Sequence, residues 1–89
     1  MKSVHFVISG KVQGVFFRDT AKRMASQIGI KGWIRNTDDG TIEILAQGSE
    51  SQLSEFERWC RTGPPMAKID SVEKEDMECG ECVCFEVRY

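Results

Sequence analysis

The sequence predicts an α+β sandwich, in which an antiparallel sheet of four main strands plus a short fifth carries two helices on one face. An alternating apolar run opens the chain, two apolar stripes recur at helical spacing, and a hairpin with an Asp-Gly step stands between those stripes.

Val4, Phe6 and Ile8 alternate with His5, Val7 and Ser9, which is the period-two pattern of a half-buried strand ending near Gly10. After a loop through Gly14, the residues Phe17, Ala21, Met24, Ala25 and Ile28 fall on one side of a helix. Gly29 follows where a left-handed C-terminal cap is wanted. The runs 32–36 and 41–46 form the arms of a hairpin, joined by Thr37-Asp38-Asp39-Gly40, whose glycine supplies the positive backbone angle of a tight turn. Ser49 and Gln52 make a capping box for a second helix over roughly residues 50 to 62, with Leu53, Phe56, Trp59 and Cys60 on its apolar side. Gly63-Pro64-Pro65 ends it. Strands around Ala67 to Lys74 and Cys84 to Tyr89 complete the order. Phe17 and Trp33 are expected in the core, and His5 in a structural or exposed role.

Two strand-helix-strand units around a hairpin give the ferredoxin-like βαββαβ arrangement with an extra C-terminal strand. Strands one and two are linked through a helix and so run parallel, which brings their C-terminal ends to one edge. The loop after strand one is therefore expected to meet Asn36.

At 89 residues there is room for one domain over 1–89 with one core, and no apolar run approaches the roughly 20 residues of a membrane helix. The first residues lack the apolar segment of a secretory signal, so a soluble cytoplasmic monomer with no membrane partner is the expectation. Within a net charge of −2, residues 1 to 36 hold seven lysines and arginines against Asp19 alone, a local +6 that leaves the remainder at −8. A small anion is drawn to the first part, while a long polyanion meets repulsion from the rest, so no nucleic-acid partner is expected. Cys60, Cys79, Cys82 and Cys84 admit a zinc or disulfide reading, since Cys79 and Cys82 have ligand spacing. Cys60 stands alone in a helical segment, and free thiols in a reducing compartment are preferred, so no metal and no cofactor is expected. A local disulfide within Cys79 to Cys84 stays open under oxidant.

The loop Gly10-Lys11-Val12-Gln13-Gly14-Val15-Phe16-Phe17-Arg18 has two glycines that let the backbone turn successive amides inward as a nest for phosphate. It runs into a helix N-terminus, which favours an anion, and Arg18 offers paired donors matched to phosphate oxygens. Two glycines near an arginine also describe an ordinary turn, and an asparagine entering a hairpin also serves to satisfy a backbone group.

Gly10-x-Val12-Gln13-Gly14-Val15-x-Phe17-Arg18 together with Gly32-Trp33-x-x-Asn36-x-x-x-Gly40-Thr41 resembles the paired signature of the acylphosphatase family, in order and in separation. The resemblance covers essentially the whole chain, including the closing 85–89 strand. It implies hydrolysis of a small acyl phosphate to a carboxylate and inorganic phosphate without a metal. It also implies Arg18 as phosphate ligand, Asn36 as the group that orients water, and the backbone of Gln13, Gly14, Val15, Phe16, Phe17 and Arg18 as further phosphate ligands. The stretch Asp76 to Cys84 lies outside the motifs and has no guide in the family pattern. Alternatives are the acylphosphatase-like segment of larger carbamoyl-transfer maturation proteins, where proline typically follows the arginine and Asp19 stands here; a non-enzymatic ferredoxin-like module binding an anion or RNA; and a cysteine-based metal or redox module.

Overall fold

The structure, a computed structural model, describes residues 2–78 and 80–88. Along the chain it forms β1 (Lys2–Lys11), α1 (Phe17–Ile28), β2 (Lys31–Asn36), β3 (Ile42–Gly48), α2 (Glu50–Thr62), β4 (Lys68–Met77) and β5 (Phe85–Arg88). The strands make one sheet in the order β4-β1-β3-β2-β5. The four main strands pair antiparallel as expected. β5 pairs with β2 in parallel, so the whole sheet is mixed. The difference arises because β4 and β5 stand at opposite edges of the sheet and β5 starts alongside the beginning of β2. No helix among the described residues is long and apolar enough to cross a membrane.

Even-numbered residues of β1, β2 and β3 bury one sheet face against both helices. Phe6, Ile8, Ile34, Ile42 and Ile44 meet Phe17, Ala21 and Ala25 of α1 and Leu53, Phe56 and Cys60 of α2. Phe56 sits at the centre, edge-on to Phe6 at 6.4 Å and to Phe85 at 5.9 Å between ring centroids. Such a ring contributes roughly 1.5–3 kcal/mol by leaving water, and each edge-to-face partner adds about 0.5–1.5 kcal/mol. Phe17, the first residue of α1, packs on Trp59 with centroids 5.2 Å apart, which pins the N-terminus of α1 to α2.

The helix ends follow the local chemistry. At α2 the Gln52 amide donates to the Ser49 hydroxyl at 3.2 Å and the Ser49 amide to Gln52 Oε1 at 2.9 Å, closing the capping box. Gln52 Nε2 also donates to the Ile28 carbonyl at 3.1 Å, joining the two helices. Gly29 takes the left-handed cap with φ 99°.

Trp33 differs from expectation. It lies on the opposite phase from the buried Ile34, so it stands half-buried on the helix-free face, with the Arg88 guanidinium carbon 4.9 Å above its ring. On that same face His5 and Arg35 both bond Glu43, at 2.8 Å and 2.5 Å, so His5 is structural as read. Gly80 and Cys82, between β4 and β5, lie against the buried Gln47, whose Nε2 donates to the Gly80 carbonyl and whose Oε1 accepts from the Cys82 amide, both at 2.7 Å. One side chain thus latches the stretch for which the motifs offered no role.

Gly32 is held at φ 139° so close to β3 that a Cβ there would meet the Leu45 carbonyl oxygen at 1.9 Å. Gly32→Ala is expected to lower unfolding free energy by about 3 kcal/mol, read by chemical denaturation at constant m-value. Gln47→Ala is expected to cost about 1–3 kcal/mol and to make the 78–84 connection the first site of limited proteolysis, checked by mass spectrometry of the fragments.

Candidate active site

β1 ends on an irregularity. Its pairing with β4 shifts between Ser9 and Gly10, leaving Asp70 as an extra residue on β4, and the chain then departs from the sheet. Two apolar anchors hold the loop, since Val12 and Val15 are both buried. Between and after them the backbone reverses twice through left-handed geometry, at Gly14 with φ 74° and at Phe16 with φ 63°. Phe16 is not a glycine, so that conformation costs of order 1 kcal/mol and persists because Val15 and Phe17 are locked in the core on either side.

Phe16 is the N-cap of α1 and offers no side-chain acceptor to the first-turn amides. α2 meets its own first-turn amides with Ser49, so the two helices differ at this point. The end of α1 opens into a cleft of about 330 Å³ lined by Val12, Gly14, Phe16, Phe17, Arg18, Asp19 and Asn36. An uncapped helix start, with outward amides and the positive end of the dipole, suits an anion there.

Asn36 reaches the cleft through the sheet. Ile42 of β3 pairs with Ile8 on one side and with Asn36 on the other, so the end of β2 stands one strand away from the end of β1. Asn36 continues the phase of Ile34, which faces the helices, and half-buried it meets the N-terminus of α1. Arg18, in the first turn of α1, donates from Nη1 to the Arg88 carbonyl at 3.1 Å, so β5 steadies its guanidinium. Arg18 and Asn36 are thus brought to one cleft, as the parallel run of β1 and β2 leads one to expect.

Of the loop residues singled out from sequence, Gly14, Phe16, Phe17 and Arg18 line the cleft. Val15 turns its side chain into the core, and Gln13 sends its carboxamide to the hairpin turn, with Nε2 donating to the Thr37 carbonyl at 2.8 Å and the Thr41 carbonyl at 2.9 Å. Val12 and Asp19 also line the cleft and were not singled out; Asp19 carried the signal of standing beside Arg18 in the first helical turn. The basic excess of the first 36 residues is not concentrated here, because Lys2 pairs with Glu50 and Asp76 and Arg35 with Glu43.

The turn beyond Asn36 is built round one carboxylate. Asp39 accepts from the hydroxyls of Thr37 and Thr41 and from the Thr41 amide, the last at 3.2 Å. The Thr37 hydroxyl, then the Thr41 hydroxyl and amide, hold its carboxyl below the ordinary aspartate value.

Cys60 packs in the core of α2, where burial pushes its thiol up and keeps it neutral, unlike a metal-bound thiolate. Cys82 is half-buried and Cys84 exposed; Cys79 lies outside the described residues. Among the described residues no group of three or more histidine, cysteine or carboxylate side chains is placed to hold a metal ion.

A cleft at an uncapped helix start, with an arginine in its lining, defines a small α+β protein fit to receive an anionic group. Comparison with known proteins narrows the class. The acylphosphatase family model matches residues 4–87. An acylphosphatase of Rubrobacter xylanophilus is 43% identical over 88 residues, covering 98% of this chain and 80% of the relative. One of Thiobacillus denitrificans is 40% identical over 88 residues, with 99% and 98% covered. Among solved structures, the acylphosphatase from Bacillus subtilis superposes with a TM-score of 0.95 at 32% identity over the full length of both chains. The chain belongs to the acylphosphatase family, and it is a hydrolase of acyl phosphates. The reading as a non-enzymatic module is not favoured.

A folded value below the ordinary one means that folding favours the ionised Asp39. Its stabilisation is complete above the unfolded value and drains away as pH falls through the depressed folded value. An NMR titration is expected to give an Asp39 midpoint below the ordinary aspartate value, moving the Thr37 and Thr41 resonances with it. In Asp39→Asn those movements should vanish. A midpoint at or above the ordinary value would contradict this account of the turn.

Proposed function

We propose that Arg18 and the backbone amides from Gln13 to Arg18 bind the phosphate of an acyl phosphate, while Asn36 orients the attacking water, with no metal taking part. The observation that carries this reading is the meeting of Arg18 and Asn36 in one cleft at the uncapped start of α1. The guanidinium keeps its charge at every working pH and matches the phosphate oxygens with paired donors. The amides add fixed dipoles that need no rearrangement as charge builds on the equatorial oxygens.

Water held by the Asn36 carboxamide attacks phosphorus in line. The bond from phosphorus to the acyl oxygen breaks, and its electron pair leaves with the carboxylate. A carboxylate is stable as an anion, so the leaving group needs little help from a general acid, and alignment with charge stabilisation carries the rate. Asparagine accepts from water but does not deprotonate it, so the water's proton passes to a phosphate oxygen of the substrate or to solvent.

Hydrolysis of benzoyl phosphate in the presence of a chelator, with inorganic phosphate as competitor, tests the reading. Arg18→Gln is expected to lower kcat by about 10³-fold and to raise the phosphate Ki. Asn36→Ala is expected to lower kcat by about 10²-fold or more while leaving the phosphate Ki within about threefold. Chelator should leave the unaltered enzyme at full activity. Equal loss of turnover and phosphate binding in Asn36→Ala would contradict the division of roles.

A further inference from the structure

Gln13 stands between the buried Val12 and Gly14, on a loop whose neighbours line the cleft, yet its side chain leaves the cleft entirely. Both of its partners are carbonyl oxygens, so the amide nitrogen must be the atom that faces them and both its hydrogens are used. Those carbonyls belong to Thr37 and Thr41, the two ends of the hairpin turn. The Thr41 carbonyl also accepts from the Thr37 amide at 3.0 Å, and that amide belongs to the peptide immediately after Asn36. The chain of contacts therefore runs from Gln13 Nε2 through the Thr41 oxygen to the peptide that sets the direction of Asn36.

Resting on the roles of Arg18 and Asn36 given above, we propose that the Gln13 side chain is a positioning residue, which clamps the turn carrying Asn36 onto the loop carrying Arg18. The two bonds span 24 and 28 residues of the chain and tie together the segments from which the two halves of the site come. In-line attack requires water and phosphorus to be aligned closely, and Asn36 and the phosphate cradle sit on different elements that can each shift. A carboxamide is suited to the clamp because one uncharged nitrogen donates to two acceptors at a fixed angle. A carboxylate of the same length would set oxygen against oxygen, and a methionine would fill the space without donating.

Gln13→Met and Gln13→Glu, assayed with benzoyl phosphate, test the clamp against a merely structural role. Because displacement of about 1 Å at a reacting group costs as much as 10²-fold, kcat is expected to fall about 10- to 100-fold in both, with the inorganic phosphate Ki changed less than about threefold. In Gln13→Glu, part of the lost kcat relative to the native enzyme at the same pH should return below about pH 5, because a glutamate titrating near 4.3 and raised by two facing carbonyls regains one donor when protonated. Gln13→Met should show no such recovery.

A folded Gln13→Met with kcat within about threefold of native, or a Ki that rises in step with the loss of kcat, overturns the proposal. If thermal unfolding shows that Gln13→Met does not fold, the acid recovery of Gln13→Glu decides, and its absence counts against the clamp. Asn36→Ala assayed alongside separates the two failures. Native turnover in Asn36→Ala removes the role of Asn36 and the clamp with it, whereas an inactive Asn36→Ala beside a native-like Gln13→Met removes the clamp alone.

Discussion

Strand β3 is the element on which the site depends, because it pairs antiparallel with both β1 and β2 and so forces those two to run the same way. Ile42 fixes the alignment, standing opposite Ile8 on one side and Asn36 on the other. A slip of one residue between β2 and β3 would turn Asn36 and the buried Ile34 to the helix-free face, and one between β1 and β3 would expose Val4, Phe6 and Ile8, so burial of the core face specifies the register. The site inherits its strand register from that apolar constraint.

A second constraint holds the loop. Val12, Val15 and Phe17 are buried, and of the residues between them Gly14 and Phe16 line the cleft while Gln13 reaches the hairpin turn. Phe17 on Trp59 settles where α1 begins, and Arg18 follows at once. Preorganisation of this kind suits acyl phosphate hydrolysis, in which alignment and fixed charge matter more than proton transfer. Some of the cost is local, since Phe16 keeps a left-handed backbone that a phenylalanine disfavours.

The helix-free face shows what patterning could and could not convey. Its strand residues alternate with the core residues, and from alternation alone Trp33 falls outward; size and hydrophobicity argued the other way, and Arg88 above the ring resolves the conflict by shielding it. The stretch after β4 reads as acidic and irregular, yet it runs to Gln47 and delivers β5 to the far edge, from which the Arg88 carbonyl reaches Arg18. Neither the latch of Gln47 nor the side-chain contact of Gln13 could be read from type or spacing, because a glutamine's partner is chosen by what the fold sets beside it.

By itself the sequence determined the order of elements, the buried phase of β1, the capping box at Ser49, the turn at Gly40 and the pairing of two motifs that carry Arg18 and Asn36. Each of these rests on interactions between residues close in the chain or on a period that repeats along it. Tertiary structure alone decided the parallel seat of β5, the outward face of Trp33, the latch at Gln47 and the two bonds from Gln13 to the hairpin. Those depend on contacts between segments far apart in the chain, whose meeting follows from the closed core and leaves no periodic trace in the residues that take part.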